Sequence, residues 1–171
     1  MEIQEQTRIA LAELFPAVTT VDVPPVVEGI SQDEAPPRAP GVLVTEFAGC
    51  GGHLDVLCRP DQVVDVARIM DEQGFFLEAV SGVDWIDRNQ LEVIYDYNRL
   101  GGELCRVMVR TCLPRTEPVV PTISGVFPAA DWHERETFDF YGVQFQGHPN
   151  LIRILLPEDA DFHPLLKDFM P

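Results

Sequence analysis

FFLEAVSGVDWIDRNQLEVIYDYNRLGGELCRVMVRT, residues 75–111, decides the fold. It contains three β-rich runs: 75–85, 91–98 and 103–111. IDRNQ and RLGG lie between them as turns. In the second run Leu91, Val93, Tyr95 and Tyr97 alternate with Glu92, Ile94 and Asp96, so one face is apolar and the other mixed. Strands joined by turns this short must be antiparallel.

Working towards the N-terminus, RPDQVVDVARIMDEQGFF predicts a helix. Pro60 sits near its start and Asp61 is the expected cap. Val63, Val64, Ala67, Ile69 and Met70 form its apolar face, and Gly74 ends it. GVLVTEF (41–47) and HLDVLCR (53–59) read as a hairpin around AGCGG. Those glycines are not a phosphate loop, because no Lys-Ser/Thr follows and no strand-to-helix step is present. Residues 22–40 are proline-rich and read as a linker or arm. Residues 3–14 predict a short amphipathic helix with Ile3, Ile9, Leu11 and Leu14 inward, stopped by Pro16. The order helix, two strands, helix, three strands implies a two-layer α+β domain over residues 1–112, with a mostly antiparallel five-stranded sheet and helices on one face.

Working towards the C-terminus, residues 113–130 form a proline-rich crossing. DWHERETFDFYGVQFQGHPN (131–150) follows. Asp131 with Glu134 fits a capping box, the helix should run to Tyr141, and Gly142 should take the left-handed position after it. The last thirty residues hold Phe145, Leu151, Ile152, Ile154, Leu155, Leu156, Phe162, Leu165, Leu166 and Phe169, interrupted by Pro149, Pro157, Pro164 and Pro171. Prolines at that density forbid long helices and central strands. Residues 113–171 are therefore expected to be a capped helix plus an extended C-terminal arm that buries itself on its own domain or on a partner.

The 171 residues are 46% hydrophobic, enough for a core, and carry a net charge of −16. A polyanion repels phosphate backbones and anionic membrane faces. No window approaches the ~18 consecutive apolar residues of a membrane span, and MEIQEQTRIALAELF lacks the basic start of a signal peptide. Cys50, Cys58, Cys105 and Cys112 form no CxxC pair and are expected to be small apolar fillers.

Residues 131–139 pack six ionisable side chains, yet catalytic readings of them fail. HERET lacks the second histidine of HExxH, since position 137 is Thr. Glu134 and Glu136 lie ~200° apart on a helix, so they cannot act on one substrate. Arg135 can reach Asp131 or Asp139, one turn either way. A charge-laced helix with its ions satisfied internally or across an interface is the better reading. No Ser or Cys has a base beside it. His148 and His163 each precede a proline and are expected to hydrogen-bond a backbone or partner group.

ERETFDFYGVQFQGHPNLIRILLPEDADFHPLLKDF (134–169) resembles the C-terminal hallmark of the respiratory complex I 30-kDa subunit family, known in bacteria as the C subunit of NADH–quinone oxidoreductase. The matching pattern is Glu134-Arg135-Glu136, Asp139, Phe140-Tyr141 and His148, with GHPNL and HPLLKDF matching the family's closing elements. VFPAADWHERE and FLEAVSGVDWIDRNQLEVIYDYN extend the resemblance over about residues 60–171. Three positions depart: Ile152 and Leu166 stand where the family has arginine, and Phe162 where it has glycine. These losses bring a related subunit of energy-converting NiFe hydrogenases or formate hydrogenlyase into view.

The resemblance implies a cofactor-free, non-catalytic hydrophilic-arm subunit of NADH:quinone oxidoreductase, lying peripherally on the cytoplasmic face of the inner membrane. It implies a large quinone-site (49-kDa-like) subunit and iron–sulfur subunits as partners. FMN, iron–sulfur clusters and quinone are expected in those partners and none in this chain. The expected interface residues are Glu134, Arg135, Glu136, Asp139, Gly147, His148, Pro149, Arg153, His163, Pro164, Lys167, Asp168 and Phe169. The contrasting reading is a free-standing acid–base enzyme using the Glu/Asp/His cluster.

Overall fold

The computed structural model describes residues 2–15 and 38–170. In chain order the elements are α1 (Ile3–Ala12), β1 (Gly41–Val44), α2 (Phe47–Cys50), β2 (Leu54–Leu57), α3 (Val63–Glu72), β3 (Phe76–Trp85), β4 (Gln90–Asn98), β5 (Arg106–Pro114), β6 (Val119–Pro121), α4 (Ala130–Tyr141) and β7 (Gln144–Gln146). The expected arm at 22–40 lies outside the described residues except for its last three.

The main sheet has five strands in the order β1-β2-β5-β4-β3. The β3–β4, β4–β5 and β1–β2 pairs are antiparallel, and β2–β5 is parallel. This is the α+β architecture that the alternation in 91–98 demands. Leu91, Val93, Tyr95 and Tyr97 are at most 1% exposed and join α1, α3 and the α4 region in one core. Burying each such side chain stabilises the fold by roughly 1.5–3 kcal/mol. On the other face Glu92 and Asp96 are also buried, because Arg110 and Arg106 reach across the strands to them.

Several boundaries differ from expectation for local reasons. The third strand begins at Arg106, not 103, since Gly101 and Gly102 both have positive φ and lengthen the turn. Glu103 in that turn instead accepts the Ile3 N–H at the start of α1 (3.0 Å). In α1, Thr7 takes an inward position and Ile9 is exposed. Asp61 does not cap α3. Pro60–Gln62 form a 3-10 turn, Gln62 accepts the Arg59 N–H, and Asp61 is exposed against Arg59. The hairpin forms, with α2 between its strands. Cys58 and Cys105 are buried, but Cys50 is exposed and so is not a filler. The proline-rich crossing contains β6, which pairs in parallel with β7. Three-residue strands beside prolines leave no periodic trace in sequence.

Gly82 on β3 sets the seat of α4. A Cβ there would lie 2.5–2.9 Å from the Tyr141 ring, which rests on the strand at that point. Gly82→Ala should therefore destabilise the protein by about 1–3 kcal/mol through overpacking. Urea unfolding measures this; an unchanged midpoint would show that helix and sheet do not meet as described.

Candidate functional site

α4 carries the site, and its ends explain its position. No side chain caps its start: Ala129 precedes it and the carbonyls of Phe127 and Pro128 take its first amides. The chain already turns in the helical sense there, so the expected capping box does not form. Glu134 is turned inward instead. Its Oε1 accepts the Ile123 N–H (2.8 Å) and its Oε2 the Thr122 hydroxyl (2.5 Å), fixing the crossing segment to the helix. At the other end Gly142 has φ +79°, and the His163 imidazole occupies the space a Cβ would need.

Asp139 organises the chain beyond α4. Its side chain is fully buried, and Oδ2 accepts three successive amides, those of Ile154, Leu155 and Leu156, at 2.7–3.1 Å. Oδ1 accepts Arg153 Nη1 (2.7 Å). The Asp139 carbonyl accepts Arg153 again and the His163 Nδ1–H. Burial alone would raise this carboxyl; the three amides and Arg153 outweigh it and hold it down at about 2. Its stabilisation is full above the ordinary value near 3.8 and is lost as pH falls through about 2.

A second buried carboxylate, Asp84 at the end of β3, holds the segment further along. It accepts Arg115 Nε and Nη2 and the Lys167 N–H (2.8 Å). Arg115 also pairs with Asp168. Lys167 Nζ lies 5.8 Å over the Trp85 ring, and Phe169 stacks on Phe162. Leu165 N–H reaches the Phe140 carbonyl. Residues 147–170 thus contain no helix or strand, yet they are tied to the domain through two aspartates.

The expected site residues divide accordingly. Asp139, Arg153, His163, Lys167, Asp168 and Phe169 all lie along this tether. Arg135 supports the same segment by donating to the Ile152 and Arg153 carbonyls, beneath the Trp132 ring. It does not reach Asp139, which Arg153 occupies, and it is 3.9 Å from Asp131. His148 is sealed: Nδ1 accepts the Asn150 N–H and Nε2 meets the Asp131 carbonyl (3.1 Å). Gly147 has φ +85°, allowing the turn into His148. Pro149 is exposed and Pro164 half-buried. Glu136 is exposed and stands apart, facing Gly82 and Leu165 across a small crevice. Asp84, Arg115 and Thr122 were not singled out from sequence. Asp84 could have been, because strand alternation puts it on the apolar face, where a charge needs a partner.

Glu134 has a different electrostatic character. Burial raises its carboxyl to about 7, Asp131 adds to the rise, and the Thr122 and Ile123 bonds only partly offset it. His148 Nε2 stands 3.9 Å from it. Among the described residues no His/Cys/Asp/Glu group could hold a metal ion, and no helix is long and apolar enough to cross a membrane.

The profile of "Respiratory-chain NADH dehydrogenase, 30 Kd subunit" matches residues 56–171. The chain belongs to that family. The C subunit of NADH-quinone oxidoreductase from Roseiflexus sp. (strain RS-1) is 43% identical over 122 residues, covering 68% of this chain and 70% of that one. Its counterpart from Nocardia farcinica is 39% identical over 129 residues, 69% of this chain and 49% of its own length. Among solved structures, a chain of the membrane-bound sulfane sulfur reductase, an archaeal respiratory membrane complex, has a TM-score of 0.62 at 29% identity, covering 68% of this chain and 71% of that one. Nqo5 of the trypsin-resistant fragment (1–134) has a TM-score of 0.55 at 28% identity, covering 66% and 89%. This 30-kDa-family chain is a subunit of a multi-subunit respiratory complex.

Two outcomes are expected. Asp139→Asn leaves Arg153 without its buried counter-ion and should cost about 3 kcal/mol in chemical denaturation at pH 7; a cost below about 1 kcal/mol would contradict the tether. Glu134 favours its protonated form in the fold, so its contribution is full below about 4.5 and declines as pH rises through about 7. Wild type should lose up to about 3 kcal/mol relative to Glu134→Gln across that interval; parallel pH profiles for the two proteins would contradict it.

Proposed function

We propose that this chain is a cofactor-free, non-catalytic scaffolding subunit of the hydrophilic arm of NADH:quinone oxidoreductase, and that it docks on the large quinone-site subunit through the surface built on α4 and residues 147–170. The observation that carries the reading is the tether. Two buried aspartates hold a segment without regular structure while its apolar side chains remain outside: Ile152 is 54% exposed, Leu155 59%, Leu165 49% and Met170 87%. A backbone fixed this firmly with side chains this exposed suits a preformed binding surface, because ordering has been completed before the partner arrives. Trp132, exposed beside the same segment and stacked by Arg135, supplies an aromatic anchor of the kind enriched at binding hot spots.

The acid–base alternative has less support. Glu134 and His148 have fully buried side chains, and Glu136 points elsewhere. In the proposed assembly FMN, iron–sulfur clusters and quinone reside in the partner subunits, and electron transfer is coupled there to proton translocation. The subunit lies peripherally on the cytoplasmic face of the inner membrane. One observation favours a second reading, in which the same module serves a respiratory complex of other chemistry, such as an energy-converting NiFe hydrogenase. It is the likeness to a chain of the sulfane sulfur reductase complex.

Native purification through a tag on this subunit, followed by mass spectrometry, distinguishes these. Co-purifying NADH-oxidising and quinone-site subunits support complex I. A large subunit with nickel-ligand cysteines supports the second reading, and isolation of the subunit alone contradicts both. Arg135→Ala, which removes the support under Ile152 and Arg153, should lower the yield of assembled complex without altering the Michaelis constant of the complex that forms. Normal assembly with a changed Michaelis constant would contradict the scaffold role.

A further inference from the structure

The exposed apolar side chains of α4 and residues 147–170 form one surface, joined through shared neighbours. Trp132 and Ile152 meet at Arg135, whose guanidinium carbon lies 5.1 Å from the Trp132 ring centroid and whose Nε donates to the Ile152 carbonyl. Leu155 and Phe162 meet at the Asp139–Arg153 ion pair. Asp139 accepts the Leu155 N–H (2.7 Å), and Arg153 donates to the Phe162 carbonyl (3.2 Å). Phe169 stacks on Phe162, with 5.3 Å between ring centroids, and leads into exposed Met170.

The charges around this surface are of one sign. Its cations are used by the chain itself: Arg135 supports two carbonyls, Arg153 pairs with Asp139, and Lys167 lies over Trp85. Asp131, Glu134, Asp139 and Asp168 likewise have partners within the domain. Glu136, Glu158, Asp159 and Asp161 are exposed, and among the described residues none of them has an ion pair. Glu136 stands one helical turn from Trp132 and lines the crevice beside Leu165. The other three fall between Leu155 and Phe162, where the Pro157 carbonyl accepts the Ala160 N–H (3.0 Å). Both ends of that stretch return to the Asp139–Arg153 pair, through the Leu156 N–H and the Phe162 carbonyl. The carboxylates are therefore held beside the apolar side chains.

We propose that the partner surface covering this one is apolar at its centre and rimmed by lysine and arginine side chains that neutralise Glu136, Glu158, Asp159 and Asp161. The inference rests on the docking reading given under Proposed function and names the chemistry of the occupant. Covering the apolar side chains takes water from the neighbouring carboxylates, and a carboxylate that loses water without gaining a counter-ion is strongly penalised. A second copy of this chain, docked by a twofold axis, would bring the same four carboxylates against each other. Anionic lipid and nucleic acid would be repelled. A protein surface with a cationic rim satisfies the carboxylates, steers the encounter and fixes the register of the apolar contact.

The test uses the assembled complex, with a tagged full-length subunit replacing the wild-type chain, and reads the yield of co-purifying partner subunits. Combined Glu158→Lys, Asp159→Lys and Asp161→Lys should lower that yield about tenfold or more, and combined Glu158→Gln, Asp159→Asn and Asp161→Asn by less. These side chains are exposed, so thermal melting of the purified variants should match wild type. Combined Glu13→Lys, Asp71→Lys and Glu72→Lys, at exposed positions after α1 and on α3, changes the net charge equally and should assemble normally. Leu155→Ser removes part of the apolar centre while keeping the Leu155 N–H bond to Asp139, and so reports on docking alone. Lost assembly in Leu155→Ser with normal assembly of the 158/159/161 lysine variant would keep the docking reading and overturn the cationic rim. Normal assembly of both would overturn both. Equal loss in the 13/71/72 variant would overturn the rim, since net charge alone would then account for the effect.

Discussion

The Asp139 carboxylate is the constraint on which the C-terminal third of this protein depends. A carboxylate removed from water is costly unless each of its lone pairs is used. Here one oxygen collects three consecutive backbone amides and the other a guanidinium. The amides belong to a stretch with no helix or strand, whose N–H groups would otherwise have needed water. One side chain on a helix therefore does for residues 154–156 what a neighbouring strand would do for a sheet edge. Asp84 repeats the device at Lys167, using the far end of β3 as its base.

This arrangement changes the meaning of the apolar tail. Its leucines, isoleucines and phenylalanines suggested an arm that must bury itself somewhere. In the structure the backbone is secured to α4 and β3, while much of the apolar surface stays outside. Leu151 and Leu166 pack partly against the core. The leucine standing where the family pattern has arginine thus serves the domain interior. Of the two arginines expected near 152–153, the one present is the one that meets Asp139.

The main sheet was legible because the run 91–98 alternates strictly and its neighbours are joined by short turns. The start of α4 was misread because its capping depends on backbone carbonyls before the helix, which leave no residue signature, and because Glu134 had a better-buried use. β6 and β7 were not anticipated: each is three residues long and is stabilised by a partner over twenty residues away. The Asp84–Arg115–Lys167 connection spans more than eighty residues, beyond any local pattern. The three residues of the Glu-Arg-Glu motif stand out in the sequence as a group. Their distinct roles emerged only with the fold: one sealed inside, one bracing the tail, one exposed.

Electrostatics separates the molecule into regions of different use. Glu134 holds the crossing segment with a carboxyl that prefers its proton, and Asp139 holds the tail with one that resists protonation. The most direct test of this anchoring is an NMR titration of the Asp139 side-chain carboxyl carbon in the intact subunit, monitored together with the amides of Ile154, Leu155 and Leu156. The expected midpoint is near 2, with the three amides shifting in step. A midpoint at the ordinary value near 3.8, with the amides unresponsive, would show that the aspartate does not anchor the segment.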